Sequence, residues 1–446
     1  MMNRREAYMM LDRMLGWTGS QDARVIIRGS ENGLTRFARA EIHQNIVQED
    51  LQVDIELRRG KKRTSISTNK LSEGDLRGAI REAGEQLKHA PEREMDLPLL
   101  AEPEEINSEN RDEKLQDKLD ISGRAELVSE GLDELPAGFT AAGSLACEKS
   151  FIALGNSRGI RRFARRDSGE FNTVVSSQAG KSSGYAELSS ETAEDFDVIE
   201  VFSRAGGKAA DGENPVDIDP DDYTVVLEPL AVAELLGYLA YTGFSGRSVQ
   251  QGRSFLAGKL GEKIWGENIS IFDDCQHPAT ITLPFDLEGA KRKFLTIIEE
   301  GVARELAYDL ASARKEGLET TGHSTGSASL GGLPIHLVME GGDSSREEMI
   351  STTEEGLLIT RFHYTNIVNP RQAILTGLTR DGTFLIENGE IARPVRDLRF
   401  TESMLKAFNN VISLSSERFK APGLGGVSYV PHLKIEDFHF SGKTEE

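Results

Sequence analysis

The stretch YTVVLEPLAVAELLGYLAYT, residues 223–242, changes character at its middle. Residues 223–227 are β-branched and apolar, the pattern of a buried strand, and Pro229 has the fixed φ and missing N–H that suit the first turn of a helix. The apolar run then continues to Tyr241, interrupted by Glu228 and Glu234, and it is too short to span a bilayer. A strand handed directly to a buried helix predicts mixed α and β structure around it.

Upstream lies DGENPVDIDPDD, residues 211–222, with two prolines and six acids, which marks a boundary between domains at 1–218 and 219–446. Within 1–218, residues 4–17 place Tyr8, Leu11, Met14 and Leu15 at helical spacing. Strand patterns follow at 24–28, 35–42, 51–57 and 63–67, with breaks expected at Asn32-Gly33 and Gly60. A helix is expected over 75–89. The acidic, Pro-containing segment 91–114 reads as an exposed connection into a helix ending near Leu135. Strands at 139–147, 150–154, 160–165, 170–175 and 183–188 then form a meander, with a turn at 155–159. Downstream, Asp381-Gly382 and Asn388-Gly389 read as two hairpin turns, followed by a helix near 402–414 and a final strand at 433–440. The class is α+β: an N-terminal α/β domain with an antiparallel sheet and helices, then a β-rich C-terminal domain.

With 446 residues, 52 Lys+Arg and 73 Asp+Glu, the chain carries a net charge of -21, a field that repels polyanions and argues against direct nucleic-acid binding. Hydrophobic residues make up 38% and fall in periodic runs, which argues against a disordered acidic chain. Cys147 and Cys275 are far apart and in no CxxC pattern, so neither a disulfide framework nor a zinc module is expected. The first residues lack an uninterrupted apolar stretch, and the expected location is the cytoplasm, with no membrane segment.

Gly322-His323-Ser324-Thr325-Gly326 fits the GxSxG form of a hydrolase nucleophile elbow, which requires a strand before the serine and a helix after it. The flanks ASARKEGLETT and SASLGGLP are charged and glycine-rich instead, so a loop is expected. Gly180-Lys181-Ser182 resembles the end of a phosphate loop, but its first glycine would fall on Val175. The eight histidines include no pair at the spacing by which one helix presents two imidazoles to zinc. Arg36 with His43, Gln44 and Asn45 forms a polar row that is either the lining of a groove or a solvated sheet edge, and the edge is what any half-exposed strand shows.

Together, Leu34-Thr35-Arg36-Phe37-Ala38, Ile42-His43-Gln44-Asn45, the turn Asn156-Ser157-Arg158-Gly159, YTVVLEP at 223–229, Thr321-Gly322, and Ile386-Glu387-Asn388-Gly389-Glu390-Ile391 with Pro394-Val395 resemble the TldD/PmbA family, the so-called modulators of DNA gyrase, which include zinc-dependent peptidases. In the TldD-like branch, the two histidines of an HExxxH motif after the strand-proline segment and a C-terminal cysteine bind zinc, and the glutamate of the motif activates water. Aligned on Val225, Val226, Leu227 and Pro229, those positions hold Gly237, Tyr238 and Thr242 here. No histidine lies between His89 and His277, and residues 415–431 contain no cysteine, so the chain resembles the PmbA/TldE branch.

The resemblance implies a non-catalytic or regulatory subunit with no zinc of its own. It would help to bind and position unfolded or short peptides, as extended strands, for cutting at the zinc of a TldD-like partner. Arg36, His43, Asn45, Thr321, Gly322 and His323 are the candidate peptide-groove residues. Two alternatives stand beside it: a hydrolase acting alone through Ser324 or scattered histidines, and a homodimer that binds peptides without cutting them.

Overall fold

The structure, a computed structural model, describes residues 1–19, 21–101, 104–423 and 426–444. Glu102 and Pro103 of the acidic connection, Leu424 and Gly425 of the cysteine-free segment, and the last two residues lie outside the described residues.

Strands before residue 191 build one seven-stranded sheet among the described residues, and strands from Asp222 onward build a second, eleven-stranded one. In the first sheet the pairing runs Lys62–Thr68, Glu41–Arg59, Asp22–Ala38, Phe139–Asn156, Arg161–Ser177, all antiparallel. Two short strands share the far side of Arg161–Ser177: Ile106–Asn110 in parallel and Ser183–Ser190 antiparallel. The helices Arg4–Trp17 and Glu73–His89 bury Leu11, Met14, Leu76 and Ile80 against Val25, Ile27, Val53 and Ile55. The first helix starts at a capping box, in which the Asn3 side chain accepts from Glu6 N at 3.0 Å and the Glu6 carboxylate from Asn3 N at 2.9 Å. A second core joins Phe37 and Phe171 to Phe202 of the helix Val198–Asp211.

Three expectations are corrected. Asn32-Gly33 is no turn: strand Asp22–Ala38 runs through it, and the hairpin reverses at Arg39 and Ala40, which both take positive φ. Gly33 is there for space, since a Cβ would lie 2.3 Å from the buried Arg124 guanidinium. Asp381-Gly382 likewise sits inside strand Ile374–Glu387, where the positive φ values make a register irregularity and Asp381 pairs with Arg361; only Asn388-Gly389 closes a hairpin. The helix expected over 402–414 is confined to Met404–Asn409, because β-branched Val411 and Ile412 already belong to strand Val411–Gly423. The acidic connection also holds the strand Ile106–Asn110 and the start of helix Glu113–Lys118.

Strand Asp222–Leu227 lies between Glu355–Asn369, in parallel, and Gly426–Lys443, antiparallel. That central position explains its apolar sequence. The helix Pro229–Gly243 then packs on the second sheet, with ten of its residues buried. The two halves meet where the hairpin at 283–291 docks on the first sheet. Arg24 donates to Leu287 O at 2.7 Å and the buried Arg162 to Gly289 O at 2.9 Å, while Phe285 joins Ile26, Leu154 and Ile160. Among the described residues no helix is long and apolar enough to cross a membrane.

Candidate functional site

Strand Ser183–Ser190 pairs along one edge with Arg161–Ser177, and Val411–Gly423 along one edge with Gly426–Lys443. Apart from a bridge at Ser415, neither has a second ladder among the described residues. Residues of both strands, with segment 278–282, line a cavity of about 570 Å³ between the halves. An unpaired strand edge offers a row of N–H and C=O groups to an extended chain. The wall also carries Glu170, Glu187 and Glu191 opposite Arg166 and Lys420. Burial pushes the Glu187 and Glu191 carboxyls up from their ordinary range. Lys420 is held by Asp195 at 2.9 Å.

The helix Pro229–Gly243 adjoins this cavity, since a Cβ on Gly423 would approach Ala233 O to 3.0 Å. Its N-terminus is fixed by Glu228, whose N–H donates to Ile359 O at 3.0 Å and whose buried carboxylate pairs with Lys208 and, at 3.5 Å, with Arg346. Gly237 presents no side chain, the Tyr238 hydroxyl donates to Thr365 O at 2.5 Å, and the Thr242 hydroxyl donates to Tyr238 O at 2.8 Å. This set contains neither imidazole nor thiolate, and it does not fit zinc. Nor do any three His, Cys, Asp or Glu side chains among the described residues converge to hold a metal.

The sequence motifs missed a polar junction beside this helix. The Tyr185 hydroxyl donates to Glu187 at 2.6 Å, Arg361 stacks over the Tyr185 ring at 3.8 Å and pairs with Asp381, and Ser183 donates to Asp381 at 2.6 Å. Glu234, from the helix, has its carboxyl pushed up by burial. These groups come from separate elements, so no local spacing announces them.

Thr321, Gly322 and His323 stay together, in a buried network. The His323 ring spans Thr321 O at 2.9 Å and Asp273 at 3.1 Å, and His336 approaches Asp273 at 3.3 Å. Burial alone would raise the Asp273 carboxyl, but the two histidines outweigh it and hold it well below the usual range. Gly322 sits at φ 76° against the Lys291 backbone. Ser324 is in a loop; its hydroxyl accepts from Gly326 N at 3.2 Å, and its own N–H donates to Asp286 at 2.8 Å.

Arg36, His43 and Asn45 lie at the turn end of the first hairpin. Arg36 pairs with Gln44, His43 is the extra residue of a bulge, and Asn45 opposes Thr35 on the other face. Asn45 donates to Ile121 O at 2.8 Å and accepts from Thr35 and Arg124, tying the hairpin to helix Ile121–Asp133.

The two sheets, the strand-to-helix passage and the cleft between the halves define an α+β fold of two sheet-based halves. A family model described as PmbA/TldA metallopeptidase C-terminal domain matches residues 220–442. The chain belongs to the PmbA/TldD family. It is 28% identical over 291 residues to a metalloprotease of Methanothermobacter thermautotrophicus, covering 61% of this chain and 62% of the relative. It is 27% identical over 209 residues to Metalloprotease PmbA of Escherichia coli O157:H7, covering 45% of this chain and 43% of the relative. The chain thus matches less than two thirds of either relative's length. The crystal structure of TldE from Thermococcus kodakarensis superposes with a TM-score of 0.87 at 21% identity, covering 98% of this chain and all of that one, and it shares the fold.

Proposed function

We propose that this chain is a non-catalytic or regulatory subunit of a TldD/PmbA-type peptidase: it holds unfolded or short peptides in the cleft between its halves while a zinc-bearing partner cuts them. The observation that supports this reading is the helix Pro229–Gly243, which follows a strand-proline entry yet carries Gly237 and Thr242 where the resemblance expects the peptidase branch's two zinc-binding histidines, and Tyr238 where it expects the water-activating glutamate. Zinc chemistry belongs, on this reading, to the partner. The residues of this chain orient the peptide: the free edges of Ser183–Ser190 and Val411–Gly423 pair with its backbone, and Glu187 and Glu191 face its side chains. A dimer, with that partner or with itself, and a cytoplasmic setting complete the proposal.

Co-purification from the native host tests it. A zinc-containing family member should co-elute, and the reconstituted pair should cleave short peptides that this chain alone leaves intact. Thr282→Trp, in the cavity wall, should weaken binding of a fluorescent extended peptide by about tenfold or more with an unchanged melting temperature. Undiminished binding by the variant would remove the cleft from the proposal.

A further inference from the structure

A second cavity, of about 230 Å³, lies at another part of the junction, and its lining is strongly cationic. Arg58, Lys61, Lys62 and Arg63 come from the tip of the second hairpin, and Arg93 from the acidic connection, which is held to that tip by Arg93 N donating to Lys61 O at 2.9 Å. Arg247 and Lys315 approach from the second half of the chain.

The carboxylates that share this lining are committed. Glu94 pairs with Lys315 at 3.2 Å, Asp309 caps helix Leu310–Lys315 through Ser312 N at 2.9 Å, and Glu288 accepts from Leu310 N at 2.9 Å. Arg58 is paired with Glu56 and donates to Leu97 O at 2.8 Å. Lys61, Arg63 and Arg93 have no side-chain hydrogen bond or ion pair among the described residues, and Arg247 Nε is buried without a partner. Burial lowers the Arg63 pKa, helped by the charges of Arg93 and Arg58 and opposed by those of Glu56 and Glu288. Among the described residues the lining carries seven basic side chains, Arg58, Lys61, Lys62, Arg63, Arg93, Arg247 and Lys315, against three carboxylates, Glu94, Glu288 and Asp309.

The remaining wall is the GxSxG-like loop. Ser324, Gly326 and Ser327 face the same cavity, with Gly326 at φ 73° turning the chain there. Hydroxyls and guanidinium groups arriving from several directions match a tetrahedral oxyanion better than a planar carboxylate. The volume is below the usual range for drug-sized ligands, roughly 300–1,000 Å³, which restricts the ligand to a compact one.

We propose that this cavity binds a compact phosphate-bearing anion, held by Arg63, Arg93 and Arg247 with the Ser324 and Ser327 hydroxyls, and that the bound anion clamps the two halves together. Orthophosphate, pyrophosphate and a small sugar phosphate share the recognised chemistry. Calorimetric titration of the full chain with each, at constant ionic strength, distinguishes an inorganic from an organic source. At least one should bind saturably at millimolar concentration or below and raise the melting temperature beyond an equal ionic strength of sodium chloride.

Arg63→Gln and Arg93→Gln, at half-buried and exposed positions, should keep the unliganded melting temperature and weaken that binding by about tenfold each. Lys181→Gln, remote from the cavity, should leave it unchanged. Absence of saturable binding by all three anions would overturn the proposal, as would equal affinity in the Arg63 and Arg93 variants.

Discussion

His432 sits 7% exposed on the final strand, with its N–H bonded to Ser415 Oγ at 2.8 Å and its ring edge-on to Phe419. Burial pushes the imidazole pKa down to about 4, and the nearby charges of Glu228, Glu347, Arg346 and Lys208 do not restore it. The folded state therefore keeps His432 neutral while the unfolded chain takes up a proton near pH 6.5. Its contribution is present above about pH 6.5 and is lost as the pH falls toward 4, by up to about 3 kcal/mol. Urea unfolding at pH 7 and pH 4.5 should show a smaller acid loss for His432→Gln than for wild type; parallel losses would contradict the assignment. The sequence holds His432 and His439 at an odd spacing, which sends them to opposite faces of one strand, and the first is buried and the second exposed. It did not reveal the tie between Asn45 and Arg124, because that contact joins a strand to a helix 79 residues away.

Local patterns marked most elements, and they failed where a turn-forming pair serves packing instead. Asn32-Gly33 has turn composition, yet the glycine makes room for Arg124, which is 2% exposed and donates to Leu119 O at 2.7 Å and Thr35 at 3.1 Å. Gly33→Ala should displace that guanidinium and cost about 2 kcal/mol, read as a lower denaturant midpoint with unchanged m-value. An unchanged midpoint would mean that Arg124 yields at no cost. Residues 223–242 were legible for a different reason: the central strand is covered on both sides and the helix is buried, so apolarity alone describes both. The cleft was illegible because its walls are edges, and an edge is defined by the strand that fails to pair with it.

Across the whole molecule, the halves are joined by polar links that range from exposed ion pairs to buried hydrogen bonds. Arg162 is fully buried and donates to Gly289 O across the junction and to Glu104 O within its own half. Arg162→Leu should leave those carbonyls unpaired, cost about 3 kcal/mol, and speed proteolysis between the halves; an unchanged melting temperature would show that the junction does not depend on it. The net charge of -21 averages over a surface that still contains a concentrated cationic cavity, a distinction composition cannot make. The helix Pro229–Gly243 carries neither imidazole nor thiolate, so this chain is expected to hold no zinc of its own. Mass-spectrometric metal analysis of the purified chain, after exposure to zinc and desalting, tests it most directly. Well under one zinc per chain, with no chelator-sensitive peptide hydrolysis, is the predicted result. One tightly bound zinc per chain with chelator-sensitive hydrolysis would contradict it.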